Sequence, residues 1–258
     1  MASEKAVPVR NSPNLDVPAI WEVRKDLAAC FRAAALNGLE EGICNHFSAV
    51  VPGHEDLFIV NPYGFAFCEL TASRLLICNF DGEVVSGEGS PEDTAFFIHA
   101  EIHKRLPRAK VVFHTHMPYA TALAMTDGNP LIFAGQTALK FYGRIAVDDG
   151  YNGLALDRDE GRRIAEAVGD ADVVFMKHHG VVVIGETIEA AWDDLYYLER
   201  ASEVQCLAQS SGRKVSPINS GIATLTAKQL REVDGAAARL HLNSIKRVLS
   251  GQVPPFDS

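Results

Sequence analysis

The segment Lys110-Val-Val-Phe-His114-Thr115-His116 carries the residues best suited to chemistry. Residues i and i+2 of a strand point to the same side. The two imidazoles of an H-x-H pair at a strand end therefore converge on one ion without distorting the backbone. A second apolar run, Asp172-Val-Val-Phe-Met-Lys, ends in His178-His179-Gly180. A neighbouring strand of that kind would bring a third imidazole beside the pair. An extended backbone aims only one of His178 and His179 at a shared ion, and the local pattern leaves that choice open. Three imidazoles suit Zn2+ or Mn2+, and also Fe2+ or Co2+, with coordination positions left for water or substrate. The expectation is one divalent ion in a catalytic site.

The elements that must position these histidines are readable from periodicity and punctuation. A first helix is expected from an Asp16-Val17-Pro18 start, with Ile20, Val23, Leu27, Phe31 and Ala34 on one face and a stop near Gly38. Strand-like runs follow at 43–50, 57–61, 74–79 and 83–85, separated by Pro52-Gly53 and Asp81-Gly82. Further helices are expected over about 91–105, 119–124, 158–168, 187–210 and 226–249, with strands at 111–113, 144–147, 172–176 and 181–184. Strands interleaved with helices predict one α/β domain with a central sheet layered by helices. The expected limits are a flexible arm at 1–15, the domain at 16–250 and a tail at 251–258, where Pro254-Pro255 cannot continue a helix.

Composition narrows the function classes. Of 258 residues, 47% are hydrophobic and 22% charged, as expected of a protein with a substantial core. A net charge of −9 argues against a nucleic-acid partner. No apolar run is long enough for a membrane span, and the polar start lacks a signal-peptide core, so a cytoplasmic protein is expected. The cysteines Cys30, Cys44, Cys68, Cys78 and Cys206 form no C-x-x-C pair, and most have apolar neighbours, which reads as reduced core thiols.

Beyond these local patterns, the chain resembles the class II aldolase/adducin family. The carriers are HTHMPYATALA at 114–124 and KHHGVVVIGETIEAAWDDLYYLERASEVQCLA at 177–208, with GICNHFSAVVPG at 42–53 and LFIVNPYGFAFCELTASRL at 57–75. The resemblance implies an αβα sandwich with a mainly antiparallel sheet, and a metal held by His114, His116 and the histidine before the glycine. That selects His179 and leaves His178 where the family commonly has asparagine. It also implies homotetramers with active sites between subunits, and a metal that acts as the electron sink of C–C cleavage.

Three departures redirect the substrate. The glutamate that sugar-phosphate aldolases carry one helix before the H-x-H pair falls near Ala95, with Glu92 and Asp93 out of register. Their Gly-Asn phosphate-binding pair is Asn45-His46 here, and their small hydroxyl-rich phosphate loop is Asn61-Pro62-Tyr63-Gly64. A bulkier, more aromatic loop offers fewer bare N–H groups to phosphate. The features resemble the adducin-like branch instead, which includes metal-dependent decarboxylases and the adducin head.

The expected activity is thus decarboxylation of a non-phosphorylated carboxylate, aromatic or hydroxy/keto, with the metal stabilising an enolate-type intermediate. The alternatives are an aldolase for a non-phosphorylated hydroxy-carbonyl compound, an adducin-like interaction module without catalysis, and a metal-dependent oxygenase. Asn45, His46, Tyr63 and Gly64 are the expected substrate contacts, and Tyr119 and Tyr142 the candidate proton donors. His99 reads as a satisfied helix histidine that could approach the site, and Lys177 as a strand-end surface residue. Glu199-Arg200 reads as solvated or interface charge, and Trp192, Leu195 and Leu198 as a core stripe.

Overall fold

A computed structural model of the chain describes residues 14–258; most of the expected N-terminal arm, residues 1–13, lies outside the described residues. The elements follow in the order α1 (Pro18–Leu36), β1 (His46–Val51), β2 (His54–Val60), β3 (Leu76–Asn79), β4 (Val84–Ser86), α2 (Asp93–Arg105), β5 (Val111–Thr115) and α3 (Pro118–Ala124). The second half adds β6 (Ile145–Asp148), α4 (Arg158–Val168), β7 (Val173–Met176), β8 (Gly180–Gly185), α5 (Ile188–Ser210) and α6 (Ser220–Leu249).

All eight strands join one sheet in the order β4-β3-β2-β1-β5-β8-β7-β6. Every neighbouring pair is antiparallel except β6–β7. Side chains alternate across this sheet. Phe47, Ala49, Val111, Phe113, Val181 and Val183 pack with the core that takes in α1, α3 and α5. Val112, Val182 and Ile184 face the other way, against Ile98 and Ile102 of α2 and Ile164 and Val168 of α4. The result is the three-layer αβα sandwich.

The alternation breaks chemically at one place. His46 and Ser48 of β1 and His114 of β5 occupy the α2-facing positions where the pattern calls for apolar side chains, and all three are buried. They meet His99 and His103, which lie four residues apart and hence on one face of α2. A buried polar row between sheet and helix must satisfy its own hydrogen bonds, and it leads directly to the H-x-H pair.

Several local expectations need correction. The N-cap of α1 is Val17 rather than Asp16, with Pro18 in the first turn. Arg74 ends a 3-10 turn instead of opening a strand. Helix α6 begins at Ser220, capped by the Asn219 side chain, earlier than expected. Only Cys30 and Cys78 are buried; Cys44 and Cys68 are exposed. The residues after Gly251 do not continue α6, yet they dock: Phe256 is buried, its carbonyl accepts from the Ala72 N–H at 2.8 Å, and that of Ser258 accepts from Ser73 at 2.9 Å. Trp192, Leu195 and Leu198 are fully buried core residues. Among the described residues, no helix is long and apolar enough to cross a membrane.

Candidate metal centre

His114 is the penultimate residue of β5, and His116 follows just beyond the strand end. β5 pairs with β8 so that His114 is opposite Val182 and Thr115 opposite Val181. The β7–β8 hairpin therefore delivers its connecting turn, Lys177 to His179, beside the pair. His178 turns the chain there with φ +60° and points to solvent. Histidine and asparagine both tolerate this left-handed region better than most residues. The turn puts His179, not His178, against the other two rings.

Gly180 makes that approach feasible. A Cβ at this position would lie 2.5 Å from the Thr115 carbonyl oxygen and 2.9 Å from Cδ2 of His116. The ring of His179 lies 4.7 Å from that of His114 and 4.9 Å from that of His116, and one ring nitrogen of each can lie within 4.8 Å of the others.

The hydrogen bonds of the outer ring nitrogens decide what the inner ones offer. His114 Nδ1 donates to the Val181 carbonyl at 2.9 Å, and His116 Nδ1 donates to the Glu41 carboxylate at 2.6 Å. Both partners only accept, so each ring carries a hydrogen on Nδ1, and the neutral form of each ring presents a bare Nε2 lone pair. Those two Nε2 atoms lie 3.1 Å apart. Two lone pairs at this distance repel unless a metal ion or a shared proton lies between them. Two nitrogens of a tetrahedral zinc shell, with Zn–N of about 2.0–2.1 Å, would be about 3.3 Å apart. The donor set fits a divalent metal. Burial drives the His114 basicity well below its ordinary value, with His179 adding to the effect, and burial followed by His116 lowers His179 to about 4. Neutral imidazoles are the form that binds metal.

Burial likewise lowers His46 and His99 well below the usual histidine range, and His103 to about 4. His46 is the cross-strand partner of His114, with ring centroids 4.8 Å apart. Asn45 is buried; its side-chain oxygen accepts from the Glu41 N–H at 2.7 Å. Asn61 clamps this segment by accepting from the Phe47 N–H at 3.3 Å and donating to the Asn45 carbonyl at 3.2 Å. Asn45 Nδ2 and His46 Nε2 are buried atoms without a hydrogen-bond partner among the described residues. Tyr63 is 52% exposed and Gly64 turns the same loop at φ +92°.

The remaining candidates divide. Tyr119 is half-buried in the first turn of α3, three residues past His116. Tyr142 packs edge-on against Phe133 at 5.0 Å, and its carbonyl accepts from Arg231; these contacts do not join it to the histidine cluster. His99 is satisfied, bonded to His46 and Ser48. Lys177 is half-buried, with its ammonium against the Thr126 carbonyl. Glu199 corrects the expectation of a solvated charge: it is 1% exposed and accepts from the N–H groups of Tyr119 and Ala120, both at 2.9 Å, at the start of α3. Arg200 pairs with Glu203 at 2.9 Å. Sequence reasoning did not single out Glu41, Ser48 or His103. For the last two a signal existed in the i, i+2 and i, i+4 spacing of polar residues along otherwise apolar faces.

The family described as Class II Aldolase and Adducin N-terminal domain matches residues 25–206. The chain belongs to the class II aldolase/adducin family. Within it, the chain is 33% identical to the Decarboxylase NovR of Streptomyces niveus over 74% of this chain and 70% of that protein. An aldolase II superfamily protein from Pseudomonas syringae superposes with a TM-score of 0.88 at 32% identity, covering 94% of this chain and 97% of that one. The L-fuculose 1-phosphate aldolase from Glaciozyma antarctica superposes at 0.78 with 25% identity, over 93% and 95% of the two chains. Class II aldolases are generally dependent on a divalent metal, in keeping with the histidine triad. At the place expected for the aldolase glutamate, Ala95 is buried in the first turn of α2. The nearby Glu92 carboxylate is engaged in capping that helix, accepting from the Ala95 N–H at 2.9 Å.

Proposed function

We propose that this protein is a metal-dependent carbon–carbon lyase, a decarboxylase of a non-phosphorylated carboxylate of aromatic or hydroxy/keto type. The observation that carries the reading is the convergence of three imidazoles, with Nε2 of His114 and of His116 3.1 Å apart beside His179. His114, His116 and His179 would hold one divalent ion, Zn2+ or Mn2+ in the first instance. Such an ion supplies Lewis-acid stabilisation of the negative charge left when the bond to carbon breaks.

The chain's own groups do the rest. The Val181 carbonyl and Glu41 fix two of the imidazoles in orientation and tautomer. Asn45 and His46 supply unsatisfied buried polar atoms for substrate, with Tyr63 and Gly64 forming the outer wall. Tyr119 is the proposed proton donor to carbon, and Tyr142 the second choice. We include a homotetramer with sites between subunits in this reading. Exposed Val204, Leu207, Val233 and Leu240 on α5 and α6 are available for contacts between copies.

Ala95 and the capping role of Glu92 favour decarboxylation over the aldolase alternative, because the place of the aldolase glutamate holds an apolar side chain and the nearby Glu92 carboxylate is engaged at the helix start. The test is metal analysis of gently purified protein beside His116→Ala, followed by assay of hydroxy- and keto-carboxylates for released CO2 and for aldehyde products. About one ion per chain, lost in the variant, with CO2 as product, is the expected result. Aldehyde release favours the aldolase, and strict O2 dependence the oxygenase. A protein that takes up no metal at micromolar supply sinks the catalytic reading and leaves the interaction module.

A further inference from the structure

Four buried side chains form an unbroken hydrogen-bonded line from His46 to the backbone below α2. His46 Nδ1 lies 2.7 Å from His99 Nε2, and His99 Nδ1 lies 2.5 Å from Ser48 Oγ. Ser48 Oγ is in turn 2.6 Å from His103 Nε2, and His103 Nδ1 is 2.6 Å from the Ala109 carbonyl oxygen.

The last link sets the direction of every hydrogen in the line. A carbonyl only accepts, so His103 Nδ1 carries a hydrogen and, in the neutral ring, Nε2 is bare. Ser48 gives its single hydrogen to His103 Nε2 and must then accept one from His99 Nδ1. His99 Nε2 is therefore bare and accepts from His46 Nδ1. One atom is left over: His46 Nε2, with a lone pair and no hydrogen. None of the four side chains belongs to a residue more than 6% exposed, which keeps the imidazoles neutral and water out of the line.

His46 Nε2 is itself buried and has no partner among the described residues. Its ring lies against that of His114, on the side of the sheet where the triad is built. A buried acceptor without a donor is unfavourable, and the direct remedy is a donor on a bound molecule.

We propose that His46 is a specificity-determining residue whose Nε2, held bare by the line through His99, Ser48 and His103, accepts a hydrogen bond from a hydroxyl or N–H group of the molecule bound beside the triad. An anionic oxygen at the same place meets a lone pair with a lone pair and is rejected. This rests on the reading that ligands bind at the triad, and it narrows that reading to a substrate carrying a hydroxyl or amine donor.

The first test uses the metal-free full chain with 15N-labelled histidine. Multiple-bond proton–nitrogen NMR separates protonated from bare ring nitrogens, and His46 is assigned from signals absent in His46→Asn. The expected result is a protonated Nδ1 and a bare Nε2 at His46, opposite to the tautomer a free histidine prefers in water. Ser48→Ala should cut the line and let the usual tautomer return. A hydrogen on Nε2 of the wild-type protein overturns the proposal.

Two further measurements address the ligand side. Zinc content of His46→Asn should stay at about one ion per chain; its loss would make His46 a metal ligand and overturn the assignment. Sulfate, which carries no hydrogen at neutral pH, should bind the zinc-loaded His46→Asn protein roughly tenfold more tightly than the wild type, because the amide offers an N–H where the imidazole offers a lone pair. Sulfate affinity that does not rise overturns the selectivity. Failure of the wild type to take zinc would count against the metal centre alone, since the tautomer is read without metal.

Discussion

Glu41 reaches His116 from 75 residues earlier in the chain, its carboxylate accepting from Nδ1 at 2.6 Å. A carboxylate behind a metal-binding imidazole fixes ring orientation and raises the basicity of the inner nitrogen. Glu41→Ala is expected to weaken zinc binding about 10- to 100-fold, and Glu41→Gln less, because its amide oxygen still accepts. Competition with a chromophoric chelator measures this. Unchanged affinity in Glu41→Ala would show that the ring is held by its packing alone.

Gly180 is the second point where the centre depends on a single residue. Its missing Cβ leaves room for the Thr115 carbonyl at 2.5 Å and the His116 ring at 2.9 Å. Gly180→Ala must push β5 and β8 apart where they carry the triad, at an expected cost of about 1–3 kcal/mol. Urea unfolding of the metal-free variant should show the loss, and zinc affinity should fall with it. Retained stability with normal zinc binding would mean that the hairpin moves freely around His179.

The parts legible from sequence were those written in short-range pattern. Helix α4 runs over Arg158–Val168 as expected, because Asp157 caps it and Gly169 ends it. The H-x-H pair and the hairpin histidine stood out because apolar strands flank them. The sequence pattern places the start of α6 late because the true cap, Asn219, precedes a Ser-Gly pair that resembles a loop. Glu41 was out of reach for a different reason: only the packing of its loop against β5 joins it to His116. Glu199 shows the limit of reading charge on a helix, since its partners are two backbone N–H groups of α3 rather than solvent. The line from His46 to His103 was spelled out in the spacing, but each member taken singly reads as a satisfied core residue.

That buried line should make stability depend on pH. Burial lowers His103 from the ordinary value of 6.5 to about 4, and lowers His99 in the same direction. The unfolded chain therefore binds protons at a pH where the folded chain does not. The stability contribution is complete above about pH 6.5 and is lost as the pH falls toward 4. For His103 alone the loss amounts to on the order of 3 kcal/mol across that window. Urea midpoints of metal-free protein between pH 7.5 and 5 should fall steadily, and less steeply in His103→Gln. A flat profile would mean that the imidazoles are protonated or hydrated in the folded state.

The attachment of α6 rests on a buried charge cluster remote from this chemistry in the chain. Lys140 is 7% exposed and lies 3.0, 3.1 and 2.8 Å from Asp193, Asp194 and Asp234. Asp193 also takes a contact at 2.7 Å from His241 of α6, and Asp194 one at 2.5 Å from Arg144. Asp193 and Asp194 belong to α5, whereas Asp234 belongs to α6, so one ammonium ties the two helices together. Removing it leaves carboxylates in a poorly hydrated place, a change that typically costs about 3–5 kcal/mol for a buried pair. In Lys140→Ala the loss should appear first as α6 releasing from α5. Hydrogen exchange would then accelerate in the amides of α6, while those of β5 and β8 stay protected and zinc binding is kept. Equal acceleration in sheet and helix would instead show that α6 and the metal centre unfold as one cooperative unit.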